Sequence, residues 1–83
     1  MFDFTDYINN SVFDIKPADP GENAHEFFLK QAREHMNVYP PDEAVLAGAQ
    51  DHIDVQNSDR SAIEFLQEEI ASALQERWDN MPG

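Results

Sequence analysis

Eighty-three residues carry seventeen acidic side chains against five basic ones, a net charge of −12, and no cysteine. A chain of this length forms one domain, residues 1–83, that buries only about 60–65% of the surface its unfolded form exposes. Six Phe, two Tyr and one Trp within 41% apolar residues exclude a solvated acidic tail, which lacks core-forming side chains, and the missing thiols exclude a disulfide frame and a thiolate metal site.

A helix is predicted over Asp3–Phe13, where Phe4, Ile8 and Val12 fall at i, i+4, i+8 with Tyr7 beside them, one apolar stripe on a 3.6-residue period. Asn9, Asn10 and Ser11 lower its propensity. Lys16-Pro17-Ala18-Asp19 reads as a loop, because a residue before proline is pushed out of the helical region. Asp19-Pro20-Gly21-Glu22 then reads as a helix start, with an acidic N-cap, proline at the first helical position and a glutamate three residues on. The second helix runs to about Asn37. Ala24, Phe27, Phe28, Ala32 and Met36 form its stripe, and Glu26, Lys30 and Glu34 form a solvated ladder.

Val38-Tyr39-Pro40-Pro41 ends that helix, and Asp42 and Glu43 open a third, with negative charge where the helix dipole favours it. Val45, Leu46, Ala49 and Ile53 are its buried side. Gln56-Asn57-Ser58-Asp59 is a polar turn, and Ser61-Ala62-Ile63-Glu64 matches the capping box that begins the fourth and longest helix, to about Asn80. Ile63, Leu66, Ile70, Ala73 or Leu74, and Trp78 recur along it at three- and four-residue steps, a seam made to lie against other helices. The expectation is an all-α fold: a small irregular helical bundle of three principal helices plus a short N-terminal one, with short connections joining antiparallel neighbours. Phe65, Leu29 and Tyr39 fall off the main stripes. They complete a dimer, meet a partner, or lie under Phe2, Phe4 and Phe13 within the monomer.

Chemical motifs are sparse. His25 and His35 share one helix but stand about 15 Å apart and about 80° out of register, so they cannot share an ion. Glu22 and His25 have the Glu-x-x-His spacing of di-iron bundles, which need a second copy that this chain lacks. Ile53 and Val55 stand where a calcium loop through Asp51, Asp54 and Asp59 needs oxygen ligands. No metal and no cofactor are therefore expected. There is no G-x-S-x-G, P-loop or cysteine nucleophile, and a domain this small seldom holds a water-poor catalytic cleft, so no enzyme is expected either.

Direct nucleic-acid binding is disfavoured, because Lys16, Lys30, Arg33, Arg60 and Arg77 are too few and too surrounded by carboxylates to neutralise phosphates. The first twenty residues have no basic segment followed by an apolar one, so no signal peptide is expected. No apolar run approaches a membrane span, anionic lipid would repel the chain, and the cytoplasm is the expected compartment.

The converse of nucleic-acid binding fits better. Glu64 and Glu68 at i, i+4 lie about 6 Å apart along a helix axis, close to the interval between successive phosphates on one strand. Glu69 and Glu76, Asp42 and Glu43, and Asp51 and Asp54 extend that row over neighbouring faces. In bulk character the chain is similar to the DNA-mimic inhibitors that bacteriophages direct against host defence and transcription enzymes, a resemblance of composition that carries no residue over. The sequence thus predicts a protein-binding module, monomer or homodimer, that inhibits or regulates a basic, nucleic-acid-handling protein. Its charged contacts are Glu64, Glu68, Glu69, Glu76 and Asp79 on the last helix and Asp42, Glu43, Asp51 and Asp54 on the third. Trp78, Phe65 and Tyr39 are candidate anchors for slow dissociation. The alternative is an assembly subunit in which the Ile63, Leu66, Ile70, Leu74 seam is shared between chains.

Overall fold

A computed structural model describes residues 4–81. The fold is all-α: among the described residues there are four helices, α1 (Phe4–Asp14), α2 (Ala24–Val38), α3 (Glu43–Val55) and α4 (Ala62–Asp79), and no strand.

In α1 the stripe turns inward as its spacing requires, with Ile8 buried and Phe4 and Val12 half-buried against the core. Ser11 is buried too, and its hydroxyl donates to the Tyr7 carbonyl at 2.9 Å. That bond back to residue i−4 is how a helix interior accommodates a serine.

The start of α2 departs from expectation. Asp19 does not cap a helix; its Oδ1 accepts the Gly21 N–H at 3.0 Å, closing a turn in which Gly21 sits at φ 71°. A left-handed glycine cannot continue a helix, so α2 begins three residues later at Ala24. Its N-cap, Asn23, makes no side-chain cap bond. Beyond that point the stripe holds: Phe28, Ala32 and Met36 are buried, and Ala24 and Phe27 are half-buried.

Asp42 caps α3, its carboxylate accepting the Val45 N–H at 2.9 Å, and Val45, Ala49 and Ile53 are buried with Leu46 half-covered. The helix closes through Asn57 at φ 55°, with Ser58 N–H donating to the Ile53 carbonyl and Asn57 N–H to that of Asp54. This is the left-handed C-terminal motif that glycine or asparagine supplies. Ser61 then accepts the Glu64 N–H at 3.1 Å and starts α4.

The other helices are arranged around α4, and α1, α2 and α3 all pack against it, α2 most extensively. His52 near the end of α3 meets Phe65 near the start of α4 at 5.1 Å, so the turn between them folds α3 back antiparallel. Phe4 stacks edge-on to Phe65 at 5.4 Å, and Arg77 Nη1 donates to the Val12 carbonyl at 2.8 Å. Start meets start and end meets end, so α1 runs beside α4 in the same direction.

This central position corrects the seam. A helix enclosed on several sides buries more than one stripe, and Phe65, Leu66, Ile70, Ala71 and Leu74 are all inside. Phe65, expected as an exposed anchor, is only 6% exposed, whereas Ile63, expected in the seam, is 40% exposed in the first turn.

Candidate partner-binding surface

The acids of α4 share one side of the helix, interrupted near its start by the buried Phe65. With about 100° per residue, Glu64, Glu68, Asp79, Glu76 and Glu69 fall within an arc of about 140°, turned away from Leu66, Ile70 and Leu74. Glu64, Glu69, Glu76 and Asp79 are exposed. Glu68 is partly covered, and its Oε2 lies 3.6 Å from His25 Nε2 of α2. The capping bond at Ser61 fixes where this row begins.

The α3 acids make a second group. Glu43, Asp51 and Asp54 are exposed, Glu43 and Asp54 on nearly the same azimuth about 16 Å apart along the axis, with Asp51 to one side. Asp54 accepts from the Gln50 amide at 3.0 Å. Asp42 is exposed but engaged by the Val45 N–H, so its first role is to cap the helix.

What distinguishes these carboxylates is the absence of compensation. Among the described residues no lysine or arginine approaches a carboxylate within 4.0 Å, and the ion-pair contact present is that of His25 with Glu68. Glu26, Lys30 and Glu34 are exposed along α2, the solvated ladder that their spacing predicts, with no ion-pair contact among them. Arg77 gives its guanidinium to a backbone carbonyl. With no lysine or arginine in ion-pair contact, the acidic faces present a net negative field to solvent.

The three proposed anchors divide. Tyr39 is 60% exposed at the end of α2, Trp78 is half-buried against the core, and Phe65 belongs to the interior beneath Phe4. Leu29 is half-buried. Phe13 covers none of them, being 79% exposed, and Phe2 lies outside the described residues. The seam offered to a second chain is also taken: Leu66, Ile70 and Leu74 are buried within this one.

Spacing did not reveal an open groove of about 280 Å³ where Ile15 meets the last turns of α2, lined also by Gln31, Glu34, His35, Val38 and Tyr39. Its signal was Val38-Tyr39 immediately before two prolines: the chain leaves the helix before those side chains can be covered. The Tyr7 phenol donates to the Tyr39 carbonyl at 2.8 Å, and burial raises its pKa above 10.0, opposed by a hydrogen bond with Ser11. Each histidine has a separate neighbour, His25 at Glu68, His35 at Tyr39 and His52 between Phe4 and Phe65. No group of three or more potential metal ligands comes together among the described residues, and no helix there is long and apolar enough to cross a membrane.

No protein-family model, curated protein or solved structure significantly matches this chain.

Proposed function

We propose that this protein is a non-enzymatic acidic module of the cytoplasm that inhibits or regulates a basic, nucleic-acid-handling protein by presenting the carboxylates of α4 to its basic groove. The observation that carries the reading is the row on α4: five acids within one arc, four of them exposed and Glu68 partly covered, with no lysine or arginine in ion-pair contact. A solvated face of a stable helix ordinarily interleaves both signs. Here no lysine or arginine comes within ion-pair distance of a carboxylate among the described residues, and the net charge is −12.

Such a face works by mimicry of a short stretch of nucleic acid, in the manner of phage-type inhibitors. A groove built to neutralise phosphates is lined by Lys and Arg, and carboxylates carried about one turn apart on a helix satisfy the same charges. Long-range attraction hastens the encounter and selects the surface. Residence then depends on a desolvated anchor, for which Tyr39 is the exposed one of the three candidates Trp78, Phe65 and Tyr39.

The test is capture from an extract of the native host on immobilised protein across a salt series. Retention of a nucleic-acid-binding protein at low salt, its release as salt rises, and its displacement by added DNA or RNA support the reading. Retention that is indifferent to salt, or a captured protein with no basic surface, contradicts it.

A further inference from the structure

The groove at the end of α2 is left unfilled by the chain itself. Its wall is Tyr39, whose ring leans on His35, centroids 5.1 Å apart, and which is 60% exposed. That wall is held before anything binds: the Tyr39 N–H donates to the His35 carbonyl at 2.8 Å, and the Tyr39 carbonyl accepts from Tyr7 at 2.8 Å. Val38 beside it is 67% exposed.

Three features of the groove are complementary to a cation. Gln31 Oε1 is shut off from water and accepts no hydrogen bond, a buried acceptor left unmade that turning the terminal amide into the groove would satisfy. Glu34 stands exposed on the rim with no cation in ion-pair contact. The C-terminus of α2 places the negative end of its dipole at the same spot.

We infer that this groove takes an arginine side chain of the basic partner. The guanidinium donates to the Glu34 carboxylate and to Gln31 Oε1 and lays its plane on the open face of Tyr39, while an adjoining apolar residue of the same segment rests on Val38 and Ile15. Arginine suits the site better than lysine, because its planar fork reaches two acceptors at once and stacks on an aromatic ring. A second copy of this chain, also at −12, is repelled, as is a phosphate. The inference rests on the reading of a basic partner and adds the place where that partner is anchored.

The experiment is a titration of isotopically labelled protein with a short capped peptide holding one arginine between two leucines, followed by backbone and glutamine side-chain amide shifts. A control peptide has citrulline in place of arginine. Shifts should centre on Gln31, Glu34, Val38 and Tyr39, and both the citrulline peptide and Glu34→Gln should weaken binding about tenfold, the size of a lost charge-assisted bond. Gln31→Leu should weaken binding while raising stability, a combination that a purely structural role does not produce. The variant with Glu64, Glu68 and Glu69 changed to Lys should keep the groove shifts. Shifts confined to α4, equal binding of the citrulline peptide, or no response overturn the arginine site. The acidic-face reading is judged separately, by capture of the partner, so the two fail independently.

Discussion

The phenol of Tyr7 and the carbonyl of Tyr39, thirty-two positions apart, meet at 2.8 Å. This bond ties the first helix to the residue that ends the second, and it holds the backbone of the one proposed anchor that stands in solvent. Helices α1 and α2 otherwise meet chiefly through α4, so it is a direct polar link between two elements that the core joins through a third.

Tyr7→Phe should therefore cost about 1 kcal/mol at neutral pH, the net worth of one such bond, seen as a fall of roughly 4–8 °C in melting temperature. Alkali supplies a second readout. Burial raises the phenol above its ordinary 10.0, so the unfolded chain gives up this proton first. The contribution of Tyr7 is complete below pH 10 and is lost as pH climbs from there through the raised value. The Phe variant should show a shallower decline above pH 10; an identical decline would mean that Tyr7 does not titrate in that range.

Phe65→Ala should be the most damaging of the aromatic truncations, at about 3–5 kcal/mol, which approaches the entire stability of a small domain. Trp78→Ala should cost less, because that ring is only partly covered, and Tyr39→Ala should leave melting nearly unchanged. Denaturant midpoints for the three check the order. If Tyr39→Ala unfolds the protein, the exposed wall of the groove is a structural element.

Helix caps give a finer contrast. Ser61→Ala and Asp42→Ala each remove an acceptor from a first-turn N–H and should each cost about 1 kcal/mol. Gly21→Ala should cost a similar amount for a different reason. A methyl there meets nothing within 4 Å, but the backbone is left-handed, which costs an L-residue about 1–2 kcal/mol. Thermal melts of the three variants decide this, and a neutral Gly21→Ala would show that the turn relaxes.

The carboxylates on α3 and α4 repel one another without neighbouring cations to offset them, so salt should stabilise the fold. Raising ionic strength from low to molar should add on the order of 1 kcal/mol. A melting temperature that ignores salt would show that the acidic faces are not under mutual strain.

Much of this architecture could be read from residue order. Periodicity located all four helices, and Ser61 announced its cap, because a side-chain oxygen beside a first-turn N–H is a local interaction; Asp42 was legible as an acid at the start of α3 and proved to be its N-cap. The failures involve competition between local motifs or contacts between distant parts of the chain. Asp19-Pro20-Gly21 satisfies the rules for a cap and for a turn alike, and the glycine decided for the turn. Phe65 and Ile63 exchanged places because burial along α4 depends on where α1 and α3 lie, and no spacing within α4 records that. The groove was hidden for the same reason: Ile15 and Tyr39 are neighbours only after folding. The α4 acids were legible as a row, whereas their lack of ion-paired cations became visible only in three dimensions.

The most direct trial of the proposed role reverses charge where the field is least compensated. Glu64, Glu68 and Glu69 are changed together to Lys, helicity is checked by circular dichroism, and affinity for the captured partner is measured at low salt beside the parent. The account predicts near-parental helicity and binding at least about tenfold weaker, since like charges would now face each other across the contact. Parental affinity in a correctly folded variant would contradict it.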